Sequence, residues 1–195
     1  YNWCLDTEAD PGMNGRSFYL PRGKTLGGSS SINGLIYLRG QLEDYDLWES
    51  LGNRGWGSRD VLPYFKKSEH NVRGASDYHG ADGELGVSDV NHRHELATAF
   101  IEGCVEAGMP RNDDFNGAEQ EGAGFLQFTS IRGRRSSTAV AFLRPAQKRS
   151  NLRVETDATA RHILFEGNRA SGIAYDRDGV EHQAWAGRDL ILCAG

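Results

Sequence analysis

The chain has 195 residues, 38% of them hydrophobic and 25% charged, with a formal net charge of -5. This is the composition of a globular protein, one ordinary domain or parts of two, and not of a disordered chain. The acidic balance leaves no basic excess for phosphate-backbone binding, which argues against a nucleic-acid partner, and no apolar run approaches the roughly 18 residues needed to span a bilayer.

The first 17 residues read as irregular, with turn signals at Pro11-Gly12 and Asn14-Gly15, and a short extended piece, Ser17 to Leu20, follows. Pro21 to Gly40, "PRGKTLGGSSSINGLIYLRG", is a glycine- and serine-rich loop set directly before an apolar run, Ile32 to Leu38. Glu43 to Leu51 reads as a short helix stopped at Gly52, and Ser58 as the N-cap of a second one through Phe65, with Pro63 in its first turns. Trp48 and Trp56 are expected in the core. His70 to Gly83 turns polar, a plausible boundary, and Glu84 to Ser88 suits a strand. His94 to Ala107 is the clearest helix, with an apolar stripe of Leu96, Phe100, Ile101, Cys104 and Val105. A polar loop leads to a strand over Phe125 to Ile131 and then to a helix capped by Ser136 or Ser137 and ending near Pro145. Five short strands follow: Leu152 to Thr156, Ala160 to Phe165, Ser171 to Tyr175, His182 to Ala186 and Leu190 to Ala194. Hairpin turns at Glu166-Gly167-Asn168 and Asp178-Gly179 join some of them. The fold class is α+β, ending in a β-meander and a buried strand.

Three cysteines, Cys4, Cys104 and Cys193, are far apart and form no CxxC pair, so they read as unpaired thiols of a reducing compartment. His92-Arg93-His94 reads as loop surface rather than a metal site. The chain starts at Tyr1 and stops on the apolar "LILCAG", so it is expected to be an internal piece of a longer protein, cytoplasmic or membrane-peripheral and without a transmembrane segment.

Chemistry concentrates in the Gly27 to Ser31 loop. A P-loop needs a glycine five residues before Gly23-Lys24, and that position is Phe18; nor does GxGxxG occur anywhere. Gly27-Gly28-Ser29-Ser30 offers unobstructed backbone N–H groups and hydroxyls, which would sit at the positive end of a helix begun at Ser30. A diphosphate or a flat, acceptor-rich heterocycle suits such a surface. A glycine-rich turn serving close backbone packing would give the same residues.

The larger pattern is more specific. Arg22-Gly23-Lys24, Leu26-Gly27-Gly28-Ser29-Ser30, Ile32-Asn33-Gly34, Arg39-Gly40, Asp46, Trp48, Gly55-Trp56 and the Asp60 to Glu69 helix, in that order, closely resemble the glucose–methanol–choline (GMC) oxidoreductases, flavoproteins that oxidise alcohols. The resemblance continues through Arg134 to Thr138, Leu143, Asn151-Leu152, Ile163 to Gly167, Gly172 and Leu190 to Gly195, and is nearest the choline and alcohol dehydrogenase branch.

That resemblance implies an α+β fragment: parts of an FAD-binding, Rossmann-like α/β domain at residues 1–70 and 151–195, and part of an antiparallel-sheet substrate domain at 71–150. It implies that Gly27, Gly28 and Ser29 line FAD with backbone donors and that Asn33, Gly34, Leu35 and Ile36 lie beside the isoalloxazine ring. It further implies that the backbone of Ala160 touches the adenine and that Ala194 and Gly195 approach the ADP portion. Some relatives attach FAD through a histidine where this chain has Ile32, so non-covalent FAD is expected. The implied reaction moves a hydride from an alcohol carbon to flavin N5, with electrons passing on to a quinone-like acceptor or oxygen. The family's βαβ unit and catalytic histidine pair match nothing between Tyr1 and Gly195, so the piece itself is expected to be catalytically silent. The alternatives are a truncated core without cofactor and a hydroxynitrile-lyase-type relative on the same scaffold.

Overall fold

A computed structural model describes residues 1–194, which divide into two compact units, Tyr1–Lys148 and the residues from Arg149 onward. In the first unit β1 (Leu5–Asp6) pairs antiparallel with β2 (Tyr19–Leu20). The turn between them, Pro11–Met13, is capped by Asp10, whose carboxylate accepts from the Gly12 amide at 2.8 Å. A 3-10 turn over Gly28–Ser31 leads to β3 (Ile36–Tyr37) and then to α1 (Leu42–Ser50) and α2 (Ser58–Ser68).

α2 begins one residue away from its expected cap. Gly57 takes the N-cap position and Ser58 is the first helical residue, because a carboxylate from the preceding helix supplies the cap: Asp46 Oδ1 accepts from the Ser58 amide at 2.8 Å. That amide holds the Asp46 carboxyl below the usual range. The two helices meet around Tyr45, which is buried with its ring 5.4 Å from Trp48 and 5.7 Å from Phe65. Trp48 and Trp56, expected in the core, sit at the open rim of this aromatic cluster and stay exposed, since the smaller Tyr45 already fills the space between the helices.

β4 (Glu69–Asn71) runs parallel to β5 (Leu85–Val87). Ser88, just past β5, exchanges two backbone bonds of 2.9 Å with Phe128 in β6 (Gln127–Phe128), and β6 pairs antiparallel with β3. β4, β5, β6 and β3 thus lie side by side across the middle of the unit. The strand expected over Phe125 to Ile131 breaks at Thr129: β7 (Ser130–Ile131) turns away to pair with β8 (Arg134–Arg135). α3 (Glu95–Glu106) forms where periodicity placed it, with His94 as N-cap accepting from the Leu96 amide at 3.2 Å. Of its apolar stripe only Ile101 is buried; Leu96 and Phe100 are exposed. The last helical segment opens as a π turn, Ala139–Leu143, and continues as α4 (Arg144–Ala146), ending one residue past Pro145, near where it was expected to stop.

The second unit is a three-stranded antiparallel meander, β9 (Thr159–Glu166), β10 (Arg169–Arg177) and β11 (Val180–Trp185), with β10 central. Its two-residue hairpin loops carry the positive φ such turns require, at Gly167, Asp178 and Gly179. The expected outer strands, Leu152 to Thr156 and Leu190 to Ala194, carry no ladder among the described residues, because no strand there runs beside them. The architecture is α+β, and among the described residues no helix is long and apolar enough to cross a membrane.

Candidate functional site

The Gly27 to Ile36 loop is held from below by the segment that follows β6. Gly27 carries φ +88°, and a Cβ there would meet Ser31 Oγ at 2.5 Å and Ala139 Cβ at 3.0 Å, so only glycine fits. Gly23 is equally constrained by proximity, since its Cβ would lie 2.3 Å from the Gly28 carbonyl oxygen. The three serines each have a separate anchor. Ser29 Oγ accepts from the Gly23 amide at 3.1 Å, Ser30 Oγ donates to the Gly27 carbonyl at 2.5 Å, and Ser31 Oγ donates to the Leu26 carbonyl at 2.9 Å. Ser30 Oγ also accepts from the Thr138 amide at 3.0 Å, and Thr138 Oγ1 donates to the Gly27 carbonyl at 3.2 Å. The Arg135 guanidinium spans the same gap, donating to the Ser30 carbonyl at 3.1 Å and to Asn33 Oδ1 at 2.7 Å.

Beyond the serines the chain turns sharply. Leu35 adopts φ +70°, a left-handed conformation that costs a non-glycine residue about 1–2 kcal/mol. The conformation is over-determined: Asn33 Oδ1 accepts from the Leu35 amide at 3.1 Å, and the Leu35 carbonyl accepts from both the Thr129 amide (2.7 Å) and Thr129 Oγ1 (3.1 Å). The upper side is open. A Cβ placed on Gly28 or Gly34 would meet nothing within 4 Å, and Asn33, Gly34 and Ile36 are exposed. The loop therefore presents accessible backbone and short polar groups on a rigid base, the arrangement a flat cofactor needs for close approach. A metal does not suit it, and among the described residues no cluster of His, Cys, Asp and Glu could hold one.

Seven of the ten residues singled out from the sequence, Gly27, Gly28, Ser29, Asn33, Gly34, Leu35 and Ile36, come together in this one loop. The expected helix start at Ser30 is instead a single 3-10 turn from Gly28. Ala160 and Ala194 belong to the second unit: Ala160 is exposed near the start of β9, opposite Tyr175 of β10, and Ala194 is exposed and outside any helix or strand. Gly195 is outside the described residues.

A second polar constellation escaped sequence reasoning. Glu69 is fully buried and accepts four bonds: from Arg39 (2.8 Å), His79 Nδ1 (2.9 Å), Asn71 Nδ2 (3.0 Å) and the Gly80 amide (2.9 Å). Burial pushes its pKa up, but the bonds from His79, Gly80, Asn71 and Arg39 outweigh burial and hold it below the usual carboxylate value. His79 Nε2 faces both oxygens of Asp114, at 2.9 and 3.1 Å. Asn71 Nδ2 lies within reach of Glu69 Oε1 (3.0 Å), Gln127 Oε1 (2.8 Å) and His79 Nδ1 (3.1 Å); with its two N–H groups on the two oxygens, His79 Nδ1 is left to donate to Glu69. A carboxylate facing each ring nitrogen favours the protonated form of His79. The Glu69 bond raises its pKa, against the effect of burial and with help from Asp114. The one signal in the sequence is the pairing of His79 with Gly80, where a Cβ would strike the Lys66 carbonyl.

Human mitochondrial choline dehydrogenase is 46% identical over 195 residues, all of this chain and 33% of that protein. The crystal structure of pyridoxine 4-oxidase from Mesorbium loti superposes with a TM-score of 0.88 at 31% identity, over 95% of this chain and 37% of that one. An FAD-dependent oxidoreductase from Chaetomium thermophilum gives a TM-score of 0.91 at 26% identity, over 100% of this chain and 36% of that one. The chain thus spans about a third of the length of the relatives it matches. Residues 6–195 match the amino-terminal part of the family described as GMC oxidoreductase, and by that match the chain belongs to the GMC oxidoreductases.

Proposed function

We propose that this chain is the part of an FAD-dependent alcohol oxidoreductase that supplies one wall of the flavin pocket. The observation carrying the reading is the open backbone at Gly28 and Gly34 beside a Leu35 turn held in place by three hydrogen bonds. Gly27, Gly28 and Ser29 would offer backbone donors, Asn33 to Ile36 would lie along the isoalloxazine, and Ala160 and Ala194 would reach the adenine nucleotide end. Bound FAD would supply the electron-accepting chemistry for hydride loss from the alcohol carbon. The residues of this loop position and do not titrate: none of the seven carries an acid or base, so the proton of the alcohol goes to a group elsewhere in the pocket.

Ile32, half-buried beside the 3-10 turn, has no nucleophile, which supports a non-covalent cofactor. The substrate is a small alcohol, with choline-type alcohols favoured by the similarity to choline dehydrogenase, and the electrons pass to a quinone-like acceptor or to oxygen. Residues 1–70 and 151–195 would belong to the FAD-binding domain and 71–150 to the substrate-binding domain.

The test is a thermal melt of the 195-residue chain with increasing FAD. A ligand that binds only the folded form raises the melting temperature with its concentration, and acid precipitation should then release all of the flavin to the supernatant. A melting temperature indifferent to FAD at every concentration, with no flavin co-eluting, would overturn the reading.

A further inference from the structure

The buried ions around Glu69 stand apart from the proposed flavin wall, yet they are bonded to both strands that frame it. Arg39 lies two residues beyond β3, and its guanidinium reaches Glu69 at 2.8 Å. Gln127 lies in β6 opposite Tyr37 of β3, and it forms a reciprocal amide pair with Asn71 (2.8 and 3.1 Å), whose Nδ2 also reaches Glu69. The outer edge of β3 is gripped by Asn116, which donates to the Tyr37 carbonyl at 3.1 Å and accepts from the Arg39 amide at 2.8 Å. Asn116 is itself placed by Asp114, which accepts from its amide at 3.1 Å and faces His79 Nε2. Among the described residues, His79 is thus the single side chain bonded both to the ion under the strand pair and to the loop along its edge.

We propose that His79, in its imidazolium form, is a positioning residue for the Leu35–Ile36 segment: it clamps β3 against β6 and thereby fixes the Leu35–Thr129 contact. Loss of its proton would loosen the flavin wall. This gives the proposed flavin site a pH-dependent geometry. The functional meaning rests on the reading of the previous section, but the clamp itself can be tested without flavin.

The charged and titratable groups facing the clamp are few. Glu69 of β4 and Asp114 of the loop between α3 and β6 contact the ring directly; Arg39 lies behind Glu69, with the Tyr37 hydroxyl beside it at 3.3 to 3.4 Å. Asp89, which accepts from Gln127 at 2.9 Å and from Arg73 at 2.8 Å, closes the far side. Each ring nitrogen of His79 points at a carboxylate, so deprotonation removes one of the two bonds and leaves an acceptor nitrogen against an acceptor oxygen. The sign follows from the raised pKa. The clamp is complete below the ordinary histidine range, weakens as pH rises from there to the raised value, and is constant again above it.

The experiment is amide hydrogen exchange on the 195-residue chain, with histidine ring titration followed by NMR and exchange corrected for its intrinsic pH dependence. Opening at the Thr129 amide should increase by up to about tenfold per pH unit while His79 titrates, and amides of the β9–β11 meander should not respond. Asp114→Asn, on the half-exposed side of the ring, should move the rise to lower pH. His79→Gln should abolish the pH dependence and leave Thr129 permanently less protected. If His79→Gln does not fold, the wild-type profile and Asp114→Asn decide the matter alone. Thr129 exchange that ignores His79 titration, or a His79 ring neutral at pH 7, would overturn the proposal whether or not FAD binds. A chain that shows the clamp but never binds FAD would keep this inference and lose the flavin reading.

Discussion

The Gly27 to Ile36 loop and the Glu69 cluster lie in the same unit, and both are polar, but they are polar in opposite ways. Apart from the Arg135 guanidinium, the loop is held by neutral hydroxyls and backbone groups near the surface, where each bond contributes about 0.5–1.5 kcal/mol. The cluster is held by buried ions, where a missing partner leaves a charge stranded in low dielectric. One region therefore stays accessible on a base of many weak ties, and the other is sealed on a few strong ones. The division is physical: a surface left open cannot be tied down by groups that fill it, so its rigidity has to come from behind.

Three substitutions would sharpen or break that contrast. The largest effect is expected from Glu69→Ala, which strands Arg39 and takes away the buried carboxylate that His79 faces; it should lower the unfolding free energy by about 3–5 kcal/mol in a urea titration. Because the Glu69 pKa is depressed, the wild-type contribution is present above the unfolded carboxylate range and is lost as pH falls through the folded value. The penalty of Glu69→Ala should accordingly shrink in acid. A loss below about 1 kcal/mol, typical of exposed pairs, would erase the distinction between the two regions.

Gly27→Ala should come next. The left-handed φ costs about 1–2 kcal/mol, and the new methyl would have to displace Ser31 Oγ, so a drop in melting temperature without change in the denaturant slope is expected. The smallest effect belongs to Gly34→Ala, whose methyl meets nothing within 4 Å. Stability should stay within about 0.5 kcal/mol of wild type, while the FAD-dependent rise in melting temperature falls. If Gly34→Ala binds FAD as the unaltered chain does, the open side of the loop is not where the flavin lies.

The helices and the meander were legible because their signals are local. α3 followed apolar periodicity, and the β9–β10 and β10–β11 turns followed glycine and aspartate at positions of positive φ. The loop was legible because an ordered string of glycines, serines and Asn33 is rare, and its members sit within ten residues of one another. The cluster was not legible. Arg39, Glu69, His79, Asp114 and Gln127 span nearly ninety positions of the sequence, and their meaning comes only from strand pairing that brings β3, β4 and β6 side by side. Trp48 and Trp56 misled for a related reason, since size argues for burial but only the helix crossing decides which aromatic fills the gap. The break at Thr129 was equally hidden, because its backbone is taken by a carbonyl far away in sequence, that of Leu35.

The close approach of Gly23 to Gly28 has a consequence for how this chain can vary in length. The backbone from Gly23 to Gly28 folds back on itself so tightly that its two ends are in van der Waals contact, with Ser29 Oγ closing the ring onto the Gly23 amide. An inserted or deleted residue there has no slack to be absorbed into and would shift Ser30 off Thr138. At the Gly167-Asn168 hairpin tip, by contrast, an extra residue would only lengthen an exposed loop. Insertions and deletions among relatives should therefore gather at the tips of the meander and leave the stretch between Gly23 and Ser30 constant in length, even where its side chains change.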